Sequence, residues 1–213
     1  MRRVGSEDLR IEFFLPIALL KQEDLSYDWL DIKKSNICVK LCQQYPVIFR
    51  LIERIKDENQ DLIGVWKGKW QQIETSNPNF VNLVSTGIVP YPPDPKKCQN
   101  IDSQLIQAQT IGVKVDLVSA EDLEKLLNKI LLKAIPIALW SRCALNKTKC
   151  LDEINRILNC LAGNLNQLPD AIHRERNDAQ RGMEHIGHHI CLLLEDPRRI
   201  PPPKNDYPLS PLD

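Results

Sequence analysis

The sequence predicts an α/β fold, a mixed and largely parallel sheet flanked by helices in a single domain. Three observations carry this. Val113-Lys-Val-Asp-Leu117 alternates like a short strand, an amphipathic helix runs from Ser119 to Lys133, and Ala134-Ile-Pro-Ile-Ala-Leu-Trp140 reads as a buried strand. Strand, helix and strand at that spacing make a right-handed crossover unit, which implies parallel pairing. Two further runs, Arg10 to Leu15 and Ile190 to Leu194, are short, apolar and bounded by Pro or Gly, as fully buried strands are. At 213 residues the chain fills one domain with a proper core.

In chain order, Arg10-Ile-Glu-Phe-Phe-Leu-Pro16 is a strand ended by Pro16, which cannot donate to a ladder. It begins almost at once after Met1, so the sheet is expected to be incomplete at its N-terminal side, with Ile11 to Leu15 on an exposed edge. Asp24 to Ile32 fits a short helix anchored by Trp29. Val47-Ile-Phe-Arg-Leu-Ile-Glu-Arg-Ile55 starts as a strand with Val47, Phe49 and Leu51 on one face and Ile48, Arg50 and Ile52 on the other. Helical spacing of Ile48, Leu51, Ile52 and Ile55 is the competing pattern. On a strand, Arg50 shares a face with apolar neighbours and needs a carboxylate partner.

Gln60 to Glu74 is predicted helical, with Trp66 and Trp70 one turn apart on one face. Gly64-Val-Trp-Lys-Gly-Lys-Trp70 is not a phosphate-binding loop. Its glycines are separated by three residues rather than four, and Trp70 stands where a hydroxyl should hold magnesium. Thr75 to about Gln109 is polar and punctuated around Val89-Pro-Tyr-Pro-Pro-Asp-Pro95, and reads as a Pro-rich surface insertion. Ser119 caps the next helix, with Asp122 completing a capping-box-like pair and Leu123, Leu126, Leu127, Ile130 and Leu131 forming its apolar stripe. A helix over Lys147 to Ala162 buries Leu151, Ile154, Leu158 and Leu161, and another starts at Pro169. The domain spans residues 9–203, and 204–213 form an extended tail.

Composition excludes several functions. Lys+Arg and Asp+Glu balance at 28 each, so no overall basic field draws the chain to nucleic acid or anionic lipid. No apolar run approaches the roughly 20 residues that span a bilayer. Glu7, Asp8, Glu12 and Pro16 break up any resemblance to a secretion signal. Seven cysteines (38, 42, 98, 143, 150, 160 and 191) are scattered without a Cys-x-x-Cys pair, which is neither a disulfide framework nor zinc spacing. A reducing cytoplasm is the expected compartment.

The chemistry-bearing residues gather at the last strand. His185, His188 and His189 precede Ile190 to Leu194, and Glu195-Asp196-Pro197 follows it. Histidines and carboxylates are metal-ligand types, and a metal-dependent hydrolase built from them is the alternative functional reading. The two groups are nevertheless separated by about 17 Å of extended chain, too far for one metal. Asp before Pro is favoured at turns, and Glu195 can pair with Arg198 or Arg199. Trp140-Ser-Arg142 ends another predicted strand. If the two strand ends are neighbours, Arg142 faces Glu195 or Asp196, as a structural ion pair or as the floor of a crevice. Trp140, Arg142, Glu195, Asp196 and Arg198 are therefore the candidate binding-surface or ion-pair residues. Cys191, inside the apolar run, is an inert buried thiol. No catalytic residue, metal or cofactor is assigned.

Five ordered blocks carry a family resemblance: Ile11-Glu-Phe-Phe-Leu-Pro16; Tyr45-Pro-Val-Ile-Phe-Arg50 with Glu53-Arg54; Trp66-Lys-Gly-Lys-Trp70; Ile135-Pro-Ile-Ala-Leu-Trp-Ser-Arg142; and Gly187-His-His-Ile-Cys-Leu-Leu-Leu-Glu-Asp-Pro-Arg-Arg-Ile-Pro-Pro202. Together they resemble the C-terminal domain of the vWA-MoxR-associated proteins, a bacterial family prominent in cyanobacteria and actinobacteria. The resemblance implies a non-catalytic module of NTP-dependent conflict systems, working with a MoxR-type AAA+ ATPase and a von Willebrand factor A protein. In that family the parent often carries a peptidase effector, which here would come from another chain. The family's usual strand and helix ahead of the Glu-Phe-Phe-Leu-Pro block are not found, so an N-terminally truncated domain is expected. The family brings no catalytic residues to this sequence.

Overall fold

A computed structural model describes residues 9–21, 30–34, 37–75, 87–91, 98–116, 118–143, 147–161, 164–179 and 185–200. In chain order it forms β1 (Ile11–Leu15), α1 (Ile17–Leu20), β2 (Asp31–Lys34), β3 (Ile37–Lys40), α2 (Leu41–Gln44), β4 (Val47–Leu51), α3 (Ile63–Thr75), β5 (Ile88–Tyr91), α4 (Cys98–Ile106), β6 (Gly112–Val115), α5 (Ala120–Leu132), β7 (Ile137–Ser141), α6 (Lys147–Cys160), α7 (Leu168–Asp178) and β8 (Ile190–Leu194). Short 3-10 turns at Ile52–Ile55 and Asp57–Leu62 link β4 to α3. No helix among the described residues is long and apolar enough to cross a membrane.

The fold is α/β, with one mostly parallel sheet in the order β1-β4-β8-β7-β6-β5. β1, β4 and β8 run parallel to one another, as do β7, β6 and β5. The two halves meet at the antiparallel pair β7 and β8, where Trp140 faces Cys191 and Ile137 faces Leu194. This junction decides the site geometry. The end of β7 lies beside the start of β8, and the end of β8 lies beside the start of β7.

Period-two alternation gives each central strand two buried faces. Ile48, Ile137, Leu139, Ile190, Leu192 and Leu194 pack with α6 and α7 through Ile154, Leu158, Leu168 and Ile172. Phe49, Leu51, Val113, Val115, Ala138 and Leu193 pack on the other side with α1, α4 and α5, through Ile17, Leu105, Leu126 and Ile130. The predicted β6-α5-β7 unit is present, and Ser119 Oγ accepts the Asp122 N–H at 3.1 Å as the cap. α5 ends with Ala134 at φ 51°, its N–H on the Leu131 carbonyl and the Ile135 N–H on that of Ile130. This is a Schellman stop with alanine where glycine is usual.

Three expectations change. Residues 76–86 and 92–97 of the stretch expected as a surface insertion lie outside the described residues; within the rest, β5 supplies a sheet edge with Ile88 fully buried, and α4 buries Ile101 and Leu105. Pro90 is tolerated because an edge strand has one unpaired side. Asp31 and Ile32, expected in a helix, belong to β2, where Ile32 pairs with Val39 of β3; residues 24–29 of that helix lie outside the described residues. Val47 to Ile55 is a strand only as far as Leu51 and then coils into a 3-10 turn, so each of its competing periodicities holds for part of the run. Among the described residues β1 is the last strand on its side of the sheet. The expected tail at 204–213 lies outside the described residues.

Candidate functional site

β8 leaves the sheet at Glu195, between β4 and the residues that lead into β7. The Glu195 N–H donates to the Pro136 carbonyl at 2.8 Å, and its own carbonyl accepts the Trp66 indole N–H at 2.8 Å. Its side chain is 1% exposed. One carboxylate oxygen accepts the Leu51 N–H at 2.6 Å, and the other accepts Arg50 Nε at 3.4 Å. Burial pushes the Glu195 carboxyl up from its ordinary value, outweighing the opposing pull of Arg54, Arg50 and the Leu51 N–H.

Arg50 is the hub. It is fully buried and, besides Glu195, donates to Glu12 Oε2 at 2.9 Å and to the Asp196 and Arg199 carbonyls at 2.6 Å each. The carboxylate partner required by its place on an apolar strand face is thus supplied twice. Arg199 Nε in turn pairs with Glu12. Asp196 turns back on its own corner, accepting the Arg198 N–H and Nε at 2.9 Å and Nη2 at 2.8 Å. Burial pushes the Asp196 carboxyl up, but the Arg198 hydrogen bonds more than offset it and hold the group below its ordinary value. Arg198 also pairs with Glu74 of α3 and lies 5.6 Å from the Trp70 ring centre.

Two further buried arginines escape a reading by composition. Arg54 donates to the carbonyls of Leu131, Ile130 and Ile135, capping the end of α5, and stacks 5.3 Å from the Trp66 ring centre. A cation there complements the negative end of the helix dipole. Arg176 donates to the Val47 and Ile190 carbonyls, fastening α7 to the starts of β4 and β8. The signal for Arg176 is its spacing, four and eight residues beyond Ile172 and Leu168 on the buried helix face.

Arg50, Arg54, Arg198 and Arg199 stand with Glu12, Glu74, Glu195 and Asp196, and Arg10 interacts electrostatically with Arg199, Glu12 and Asp196. The central carboxylate, Glu195, has both oxygens occupied and no exposed face. Such an arrangement holds strand ends together.

Trp140 and Arg142 lie at the other end of β8. The Arg142 N–H donates to the His189 carbonyl at 3.0 Å, and its Nε to Cys191 Sγ at 2.9 Å. The expected pairing of Arg142 with Glu195 or Asp196 does not form, because β8 runs antiparallel to β7. The histidines also part company with the carboxylates that follow β8. His185 Nδ1 accepts the Gly187 N–H, and its Nε2 lies 3.7 Å from Glu175. Among the described residues no three His, Cys, Asp or Glu side chains are placed to hold a metal ion.

No curated protein and no solved structure matches the chain. The family model described as "vWA-MoxR associated protein C-terminal domain" matches residues 1–197 of the 213. That span contains every ordered block from β1 to the Asp196-Pro197 corner, and the chain belongs to the vWA-MoxR associated protein C-terminal domain family.

Proposed function

We propose that the chain is a non-catalytic interaction or regulatory module of a bacterial conflict system, working in the cytoplasm with a MoxR-type AAA+ ATPase and a von Willebrand factor A protein. The observation that carries this reading is the family match over residues 1–197, whose description names both kinds of associate. The structure is consistent with it. The carboxylates and arginines that looked most like chemistry in the sequence are bound up in holding β1, β4, β8 and α3 together. Co-purification tests the proposal: tagged protein expressed with MoxR-type and von Willebrand A proteins from the same genome should retain at least one of them through washing. Recovery of neither, with the tagged chain folded, overturns it.

A further inference from the structure

Among the described residues the sheet ends in β1 on one side and β5 on the other, and the two are built differently. β5 carries Pro90 within the strand, which removes a backbone donor and blunts that edge against pairing. β1 has no such guard. From Ile11 to Leu15 it holds neither proline nor lysine, and all five residues are half-buried. The Ile11 N–H donates to the Pro46 carbonyl, and β1 pairs with β4 in register along its whole length. In a parallel ladder alternate residues turn both backbone groups to the same neighbour, so Ile11, Phe13 and Leu15 bond to β4 while Glu12 and Phe14 turn theirs outward. Among the described residues no hydrogen bond reaches those outward groups. The side chains suit pairing too. Phe13 and Leu15 pack partly buried against the core on one face, the Phe13 ring 6.3 Å from that of Phe49. On the other face lies Glu12, the one charged side chain of β1, already paired with Arg50 and Arg199.

We propose that β1 is a self-association surface, on which β1 of a second copy adds antiparallel and joins two sheets edge to edge. The register follows from the outward groups. With the pairing centred on Phe13, Glu12 lies opposite the partner's Phe14 and Phe14 opposite the partner's Glu12, and each pair exchanges both of its N–H···O=C bonds across a two-fold axis. Phe13 meets its own copy at the axis in a non-hydrogen-bonded pair, where side chains come closest, and Ile11 meets the partner's Leu15. Each Glu12 is held by its own arginines, so no like charges are left to repel across the axis. The strand offers no unmatched charge for a differently charged partner to read, whereas its apolar centre complements itself. A five-residue edge buries too little for a permanent dimer, so the association is weak and reversible. The inference rests on β1 alone and stands or falls independently of the partners proposed above.

Sedimentation equilibrium of the full chain should show a monomer–dimer equilibrium with a dissociation constant on the order of 100 μM or tighter. Amide hydrogen exchange followed by 15N NMR assigns it to the strand: the Glu12 and Phe14 amides should slow several-fold between dilute and concentrated protein. Phe14→Pro removes an N–H that β4 does not use and should weaken association by about tenfold or more, with the Phe13 amide still protected by β4. Phe13→Cys should cross-link to its own copy under mild oxidation, identified by peptide mass spectrometry, whereas Phe14→Cys, on the opposite face, should not. If Phe14→Pro does not fold, the exchange data on the parent and the Phe13→Cys cross-link decide. A chain that stays monomeric up to about 1 mM overturns the proposal. So does a dimer that survives Phe14→Pro with the β4 pairing intact. Glu12 and Phe14 amides that exchange slowly at every concentration also overturn it, because another part of the same chain then covers the edge. Protection that appears only on adding a MoxR-type or von Willebrand factor A protein overturns it as well, because the occupant is then a different chain.

Discussion

Replacing Arg50 with methionine removes the hub on which β1, β4 and the Glu195–Arg199 corner converge. Four contacts are lost: Glu12 at 2.9 Å, Glu195 at 3.4 Å, and the Asp196 and Arg199 carbonyls at 2.6 Å. Breaking a buried ion pair from one side costs about 3–5 kcal/mol. Orphaning two buried carbonyls adds about 1 kcal/mol each, and burying the methionine side chain recovers about 1–2. The net loss is about 3–6 kcal/mol, close to the whole stability of a marginal domain. For a chain of this length that corresponds to a melting temperature lower by about 10–20 °C. Thermal and urea unfolding followed by circular dichroism would measure it. Arg50→Lys keeps the charge but not the fork, and should lose about half as much. An Arg50→Met protein within about 1 kcal/mol of the parent would refute the reasoning and show that the cluster does not hold the sheet together.

Three smaller predictions follow from individual positions. Because burial raises the Glu195 pKa, its contribution to stability is greatest below the ordinary value of 4.5 and declines as pH rises through the folded value. Glu195→Gln should therefore gain on the parent as pH rises above 4.5 in urea midpoints, and the opposite slope would mean that the arginines win over burial. Lys69, buried with its ammonium 2.9 Å from the Leu105 carbonyl, is pushed down from 10.5 to about 8 by burial and by Arg54. The unfolded chain then holds the extra proton above that pH, so stability should rise between pH 8 and 10.5 in the parent, and a Lys69→Met variant should show no such rise. Gly187 lies so close to the end of α7 that an added Cβ would sit 2.0 Å from the Glu175 carbonyl oxygen. Gly187→Ala should lose about 3 kcal/mol or more in the same unfolding assay, and a neutral result would mean that this contact relaxes freely.

The parts legible in the sequence are those fixed by periodicity and local chemistry. The stripe from Leu123 to Leu131, the Ser119 cap and the alternating Val113 to Val115 identify β6-α5-β7 without tertiary information. Arg50 announces its partners because a charge on a buried strand face requires them. What an apolar run does not encode is direction. Ile190 to Leu194 looks the same entering parallel or antiparallel, and its reversal beside β7 sends Glu195 to the end opposite Arg142. β5 was hidden for a different reason. It has four residues, one of them Pro90, and its burial comes from pairing with β6 rather than from its own pattern. Arg176 sits in the polar run His173-Arg-Glu-Arg-Asn-Asp178, where composition suggests a solvated face and only helical spacing reveals a buried one.

The central proposal is that this family member works by binding a MoxR-type ATPase or a von Willebrand factor A protein. The most direct measurement is the equilibrium affinity of the purified chain for a MoxR-type ATPase and for a von Willebrand factor A protein from the same genome, each titrated separately by calorimetry. The account predicts saturable one-to-one binding to at least one of them, with a dissociation constant on the order of 10 μM or tighter. Absence of binding to either at about 100 μM, with a folded chain and an ATPase active in nucleotide hydrolysis, would contradict it.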